Sequence, residues 1–285
     1  MVGVLVMAYG TPRDRDDIEA YYTDIRRGRT PPPDLLADLV RRYDALGGTF
    51  PLRDITNRQV AALAAALGSG YDVRLGTKHS SPRIEETVVE LRAAGAERIV
   101  GLVLAPHYSA FSVGEYASRA GAAVDVIESW HLLPAYLDFL DRAVASALST
   151  VPPGAEVVFT AHSLPERILA AADPYPAQLR ETAAAVAARH PGVPWSVAWQ
   201  SAGRTPEPWL GPDVLDVLRD RARGGSPGVV VCACGFVADH LEVAYDLDIE
   251  AAAVAAEIEL PFARTASVND DAAVMAALAE LVAAR

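Results

Sequence analysis

Glu242, Asp246 and Glu250 recur every four residues near the end of the chain. On a helix this spacing sets three carboxylates on one face, a turn apart. Like charges so placed repel, so packing does not account for them. One reading is a solvated acidic face. The other is a row of hard oxygen ligands that passes a divalent cation inward, starting or ending at Glu242. The helix is expected to follow a buried strand at 228–233 and a turn at Gly235, with Asp239 as its N-cap. Ligand sites in open α/β sheets lie outside the carboxyl ends of strands, where this helix begins, and this favours the metal reading.

His162 ends another strand, in the turn Ala161-His-Ser-Leu-Pro165. A lone histidine is more often structural than a ligand. With Glu242, however, it supplies one nitrogen and one carboxylate, an open set for a labile divalent metal. Four or more ligands would trap a cation that has to be passed on. His162 could also accept protons, since the ordinary imidazole pKa is about 6.5. Arg26, Arg27, Arg29 and Arg42 are concentrated in an otherwise acidic chain. Singly they read as solvated helix ends; as a group beside Tyr9 they suit a substrate with several carboxylates, which guanidinium forks pair bidentately. Lys78 and His79 end a further strand and could contribute similarly. His107 and His131 read as structural, and Phe50, Trp199 and Trp209 as core or as walls of an aromatic cleft.

The elements that must position these residues alternate. Strands are expected at 2–7, 71–78, 99–105, 124–128, 156–160, 194–200, 229–233 and 262–265. Helices are expected at 14–22, 34–46, 56–67, 82–94, 134–148, 175–190, 214–221 and 272–284, with others after 106–116 and after Gly235. Such alternation implies α/β architecture with mostly parallel sheets flanked by helices. The halves also resemble each other. Ala8-Tyr-Gly-Thr-Pro12 follows the first strand of one, and Ala161-His-Ser-Leu-Pro165 follows the first strand of the other. Two similar Rossmann-like lobes, 1–150 and 151–285, would bring these strand ends to one cleft, with Tyr9 facing His162.

The bulk properties narrow the class. At 285 residues, half of them apolar, the chain can bury the cores of two moderate lobes. A net charge of −12 argues against a nucleic-acid surface. No apolar run reaches membrane-spanning length, and Met1-Val-Gly-Val-Leu-Val6 lacks a basic signal-peptide region. The two cysteines, Cys232 and Cys234, cannot alone close a four-ligand zinc or iron–sulfur site. Reduced thiols and the absence of a leader lead us to expect a cytoplasmic protein without membrane partners.

Several long motifs are similar to those of ferrochelatases, in the right order over nearly the whole chain. They include Met7-Ala-Tyr-Gly-Thr-Pro12, Tyr21-Tyr-Thr-Asp-Ile-Arg-Arg-Gly-Arg29, Ala161-His-Ser-Leu-Pro-Glu166, Pro206-Glu-Pro-Trp-Leu-Gly-Pro-Asp213 and Gly235-Phe-Val-Ala-Asp-His-Leu-Glu-Val-Ala-Tyr-Asp246. The chain most resembles the soluble coproporphyrin III ferrochelatases of Gram-positive-type bacteria. The resemblance implies a class II chelatase-like fold and insertion of ferrous iron into coproporphyrin III to form coproheme. It implies metal-site roles for His162 and Glu242, an axial-ligand role for Tyr9, and porphyrin contacts from Arg26, Arg42, Tyr43 and Tyr116. It further implies an acidic relay through Asp246 and Glu250, with iron as substrate and no organic cofactor. Phe50 stands at a porphyrin-contacting position where relatives commonly have serine, which removes one hydroxyl from the propionate side. Cys234 stands where relatives more often have valine. Some family members carry an iron–sulfur cluster, for which this chain lacks thiols. A monomer is expected, because one chain forms the cleft, and a downstream heme-pathway enzyme is the expected transient partner. The alternatives are a protoporphyrin IX ferrochelatase, a cobalt or sirohydrochlorin chelatase, and a non-catalytic porphyrin carrier.

Overall fold

The computed structural model describes residues 1–285. Eight parallel strands form two separate four-stranded sheets. The first holds β1 (Val2–Ala8), β2 (Tyr71–Thr77), β3 (Arg98–Val103) and β4 (Val124–Ile127) in the order β2-β1-β3-β4. The second holds β5 (Glu156–His162), β6 (Trp195–Gln200), β7 (Val229–Cys232) and β8 (Phe262–Arg264) in the order β6-β5-β7-β8. Counted within its own half, each sheet has the same strand order, so the two halves repeat one topology. The central strands are near-continuous apolar runs, as expected where helices cover both faces of a parallel sheet.

This topology places the site. In each sheet the first strand lies between the second and third, so the chain's winding direction reverses beside it. Ligands bind at such switch points, beyond the carboxyl ends of the strands. Tyr9 directly follows β1, and His162 is the last residue of β5, in register with Gln200 on β6. The two residues therefore occupy equivalent positions in the two repeats.

The helices of the first half are α1 (Ile18–Ile25), α2 (Pro33–Ala45), α3 (Pro51–Leu67), α4 (Ile84–Ala93), α5 (Val113–Ala120) and α6 (Pro134–Leu148). The second half has α7 (Arg167–Ala170), α8 (Tyr175–Ala187) and α9 (Val214–Arg223). A composite helix follows, made of α10 (Leu241–Val243), a π-helical segment (Ala244–Ala251) and α11 (Ala252–Glu257), and then α12 (Ala272–Ala283). Proline opens α2, α3 and α6 and is the second residue of α8, first-turn positions where its missing N–H costs nothing. Asp213 and Asp271 cap α9 and α12 through their carboxylates.

The main core cluster runs through both sheets, from Val4, Val100 and Leu102 to Phe159, Trp199 and Val230. Each large apolar side chain in it contributes on the order of 1.5–3 kcal/mol by leaving water. Helix α12 packs on α3 and α6, so the last helix of the chain closes the first half. Trp199 is core, tilted against Tyr175 at 5.5 Å between ring centroids. Trp209 is half-buried over Gly203, where any Cβ would strike its ring at 2.3 Å.

Two local expectations are corrected. The acidic helix begins at Leu241 with His240 as N-cap, and Asp239 does not cap it. Asp239 instead accepts from Arg264 Nη1, Ser267 Oγ and Asn269 Nδ2. A charge-assisted bond to a guanidinium outcompetes a neutral backbone donor, so the carboxylate ties down the segment after β8. The helix is also not uniformly α. Its middle uses wider i→i+5 turns, a rare form that tends to occur at functional sites.

Candidate functional site

His162 stands at the end of β5, with Nδ1 2.5 Å from the Ser163 carbonyl oxygen. That contact turns Nε2 toward Glu242, whose Oε1 lies 3.6 Å away. The other oxygen of Glu242 lies 3.7 Å from Nε2 of His240. Both separations are too long for hydrogen bonds. Two ligands that share a tetrahedral cation at about 2.0–2.1 Å stand roughly 3.4 Å apart, so a small metal fits either gap with little movement. No three of these groups close into a ready-made metal cage, so the set is open. Phe236 lies against both imidazoles, with centroids 5.1 Å from His240 and 6.4 Å from His162. Gln200 Nε2 donates to the Glu242 carbonyl, and Thr160 Oγ1 donates to Gln200 Oε1, anchoring the helix start to the strand ends.

The charges are tuned against one another. Burial raises the Glu242 carboxyl, but His162, His240 and Arg42 together outweigh it and hold the group down to about 2. Burial lowers His162, yet Glu242 and the Ser163 carbonyl more than compensate, and its pKa is raised. For His240 burial wins, and its pKa is lowered. The His162 and Glu242 side chains are 34 % and 40 % exposed, so water screens their attraction.

One turn along, Asp246 is buried. It accepts from Ser201 Oγ at 2.5 Å and from Arg42 Nη1 at 3.2 Å. Burial drives its pKa up to about 7; the Ser201 hydrogen bond and Arg42 oppose the rise, and Glu242 and Glu250 add to it. Glu250 is half-buried further along. The three carboxylates thus share one side of the composite helix within electrostatic reach. Arg42 comes from α2 in the other lobe. It also pairs with Asp38 and lies over the Tyr245 ring at 4.7 Å. Arg41 donates to the Tyr245 hydroxyl at 2.6 Å. In this state Arg42 faces the acidic row and not an open pocket.

Tyr9, just past β1 in the first lobe, is 42 % exposed. Its ring lies 4.6 Å from that of His79 and 5.5 Å from Lys78 Nζ. Enclosure raises its pKa well above the ordinary value, and the charges of Glu242, Glu115 and Asp24 add to the rise. Glu242 of the second lobe thus acts through space on Tyr9 of the first. Tyr43 is buried and stacks on Phe50 at 4.4 Å; burial pushes its hydroxyl up to about 12 despite a hydrogen bond with Thr11. Tyr116 is buried beneath Lys78, at 5.0 Å. Lys78 pairs with Glu115, and His79 with Asp24, which also holds Arg83. Arg26 sits over Tyr22 at 5.9 Å and keeps an unpartnered buried Nε. His107 and His131 lie away from this cleft, bonded to Thr182 and Glu181 of α8.

The structure therefore brings together His162, Glu242, Asp246, Glu250 and Arg42, with Tyr9, Tyr43, Phe50 and Tyr116 on the first lobe. The sequence reading missed His240 and Tyr245. The former sits two residues before Glu242, and an extended cap residue at that spacing can aim its ring at the same carboxylate. Tyr245 carries no local signal, because its partners lie two hundred residues away.

Comparison with known proteins agrees with this geometry. The family model for ferrochelatase matches residues 1–285. The coproporphyrin III ferrochelatase of Halalkalibacterium halodurans is 44 % identical over 279 residues, covering 92 % of this chain and 90 % of its own. That of Geobacillus thermodenitrificans is 44 % identical over 302 residues, covering 100 % and 96 %. Coproporphyrin III ferrochelatase 2 of Bacillus cereus is 41 % identical over 297 residues, covering 99 % and 93 %. A multi-domain Deinococcus radiodurans protein, described as structurally similar to chelatases with two additional novel domains, superposes with a TM-score of 0.57 at 14 % identity. The match covers 99 % of this chain and 55 % of that one, and at such identity it speaks for the fold alone. With the family model and relatives of this identity spanning its length, the chain belongs to the ferrochelatase family.

Proposed function

We propose that this chain inserts ferrous iron into coproporphyrin III to form Fe-coproporphyrin III (coproheme), releasing the two pyrrole N–H protons. The observation that carries the reading is the open His162–Glu242–His240 set, whose Glu242 acts electrostatically on Tyr9 of the other repeat, in a chain matched over nearly its whole length by coproporphyrin III ferrochelatases. Iron is the substrate. Glu242, charged at any physiological pH, is suited to receive it as a hard ligand. His162, with its raised pKa, is suited to hold a proton leaving the macrocycle. Asp246, poised near neutrality, can take either a proton or the metal's charge, and Glu250 extends the row outward.

Tyr9 binds the product iron from the opposite face. Its raised pKa keeps the phenol neutral until a metal charge displaces the proton. Arg26 and Arg42 meet the carboxylates of the substrate, and Tyr43, Phe50 and Tyr116 line its edge. For Arg42 this requires it to share or leave Asp246 when the tetrapyrrole enters. Phe50 offers a ring where a serine would offer a hydroxyl, and its stacking on Tyr43 makes that wall apolar. No organic cofactor enters this scheme.

The segregation of strands into two sheets supports the division into lobes 1–150 and 151–285. Action as a monomer is supported by a cleft built within one chain, and hand-over of coproheme to a downstream enzyme by the half-exposed axial ligand. No helix is long and apolar enough to cross a membrane. Two free buried thiols support a cytoplasmic setting.

The test is anaerobic iron insertion followed by absorbance, with coproporphyrin III and protoporphyrin IX supplied separately. Turnover of coproporphyrin III in preference to protoporphyrin IX is expected. Preference for protoporphyrin would refute the assigned substrate, and binding of both without insertion would refute catalysis.

A further inference from the structure

Behind the Tyr9 turn lies a concavity that the proposed reaction does not use. The carboxyl ends of β1 and β2 and the first two turns of α3 surround it, through Gly10, Thr11, Arg53, Thr56, Asn57 and Ser80. It leaves 40 Å³ open to the centres of water-sized molecules, where about 10–15 Å³ suffices for one water. Gly10 is required in its wall: φ is +94°, and a Cβ would strike Ser80 Oγ at 2.4 Å. Thr11, Arg53, Thr56, Asn57 and Ser80 bring polar groups to a wall that is otherwise apolar surface.

The chemistry of the lining points to one kind of guest. Helix α3 runs for 17 residues from an N-cap, Phe50, that offers no side-chain acceptor to its first-turn N–H groups. Those donors and the helix dipole favour an anion. Thr56 is 3 % exposed and lines the pocket, and its hydroxyl takes part in no hydrogen bond within the protein. What little of Thr56 is exposed faces this concavity, so its hydroxyl is free to donate to a guest oxygen there. Arg53 is exposed at the rim and forms no ion pair, although the protein carries an excess of twelve negative charges. Asp17, the acid close enough to respond to Arg53, is already held by Arg13 at 2.9 Å. Asn57 lies one turn beyond Arg53 on the same face of α3 and adds an amide donor.

We infer that this pocket is an oxyanion subsite that takes a single carboxylate or phosphate group on Arg53, Asn57, Thr56 and the start of α3. Two sources share that chemistry, a carboxylate arm of the tetrapyrrole and a free small anion. The first rests on the proposed function, since the pocket adjoins Phe50 and Thr11 at the edge of the cleft; the second does not.

The experiment is thermal unfolding of the full chain with inorganic phosphate titrated at constant ionic strength, for wild type, Arg53→Glu and Thr56→Val. Wild type should gain roughly 2–4 °C once phosphate exceeds its Kd several-fold. Arg53→Glu should lose the gain. Thr56→Val, which keeps the side-chain shape and removes only the hydroxyl, should show less than half of the gain. Coproporphyrin III binding, followed by fluorescence, separates the sources. Competition by phosphate that raises the apparent Kd about tenfold in wild type but not in Arg53→Glu assigns the pocket to a substrate arm. An unchanged Kd assigns it to a free anion. No phosphate response in wild type, or an equal response in Arg53→Glu, overturns the inference. A wild-type protein that responds to phosphate but inserts no iron refutes the proposed function and leaves the subsite standing.

Discussion

His107 makes the protein acid-sensitive, and replacing it should move the acid limit. The imidazole is 2 % exposed, and its Nε2 lies 2.9 Å from Thr182 Oγ1. Thr182 donates to the His131 and Gln178 carbonyls, so Nε2–H is the donor and Nδ1 carries the lone pair. Nδ1 is buried with no partner. Protonating it would place a charge in the core with nothing to accept its hydrogen. Burial, with a small further push from His131, accordingly lowers the pKa from 6.5 to about 3.

The sign follows from which state binds the proton. Between pH 6.5 and 3 the unfolded chain is protonated at this residue and the folded one is not, so stability falls as pH falls through that window. At about 1.4 kcal/mol per pH unit, roughly 2 kcal/mol is lost by pH 5 and about 5 kcal/mol by pH 3. His107→Phe removes the titration and one hydrogen bond, a cost of about 1 kcal/mol at neutral pH. The stability curves of the two proteins should therefore cross near pH 6, with the variant the more stable below it. Urea unfolding from pH 7.5 to 4.5 measures this, and the difference between the proteins cancels other titrations they share. A difference that stays flat with pH would refute the reasoning.

Three further outcomes concern the site. Glu242→Gln should lower kcat for iron insertion by about 10²–10⁴-fold while porphyrin still quenches or shifts its fluorescence on binding; unimpaired turnover would remove Glu242 from the reaction. Tyr9→Phe should still insert iron but, once the product is oxidised to the ferric state with air, should lack the phenolate-to-iron charge-transfer absorption of wild type; an unchanged spectrum would exclude Tyr9 as axial ligand. Asp246→Asn should raise the KM for ferrous iron about tenfold and leave porphyrin affinity within a factor of two; a loss confined to porphyrin binding would mean that Asp246 serves to hold Arg42.

Much of this architecture was legible in the chain, for physical reasons that can be named. Strands such as 2–8 and 229–232 are apolar throughout and bounded by turn residues, and a parallel strand buried on both faces reads that way. The paired turns after β1 and β5 revealed the repeat, and the repeat placed Tyr9 and His162 at equivalent switch points. Asp239 was misread because a capping carboxylate and a long-range ion-pairing one look alike in sequence; only the return of β8 brings Arg264 within 3.1 Å of it. The π-helical turns left no mark in the four-residue spacing of the acids.

The largest gap between spacing and structure lies in the acidic row. Three carboxylates a turn apart look equivalent in one dimension, yet the fold makes them different. Glu242 is held down to about 2 by two imidazoles and Arg42, whereas Asp246 is driven up to about 7 by burial beside its neighbours. What separates them is a set of partners on other strands and in the other lobe: His162 from β5, Ser201 after β6 and Arg42 from α2, the last 204 positions away. A row of like carboxylates would bind a cation wherever it first touched. Graded by its surroundings, the row holds its charge more firmly at Glu242 than at Asp246, so near neutral pH Glu242 is the more fully ionised of the two.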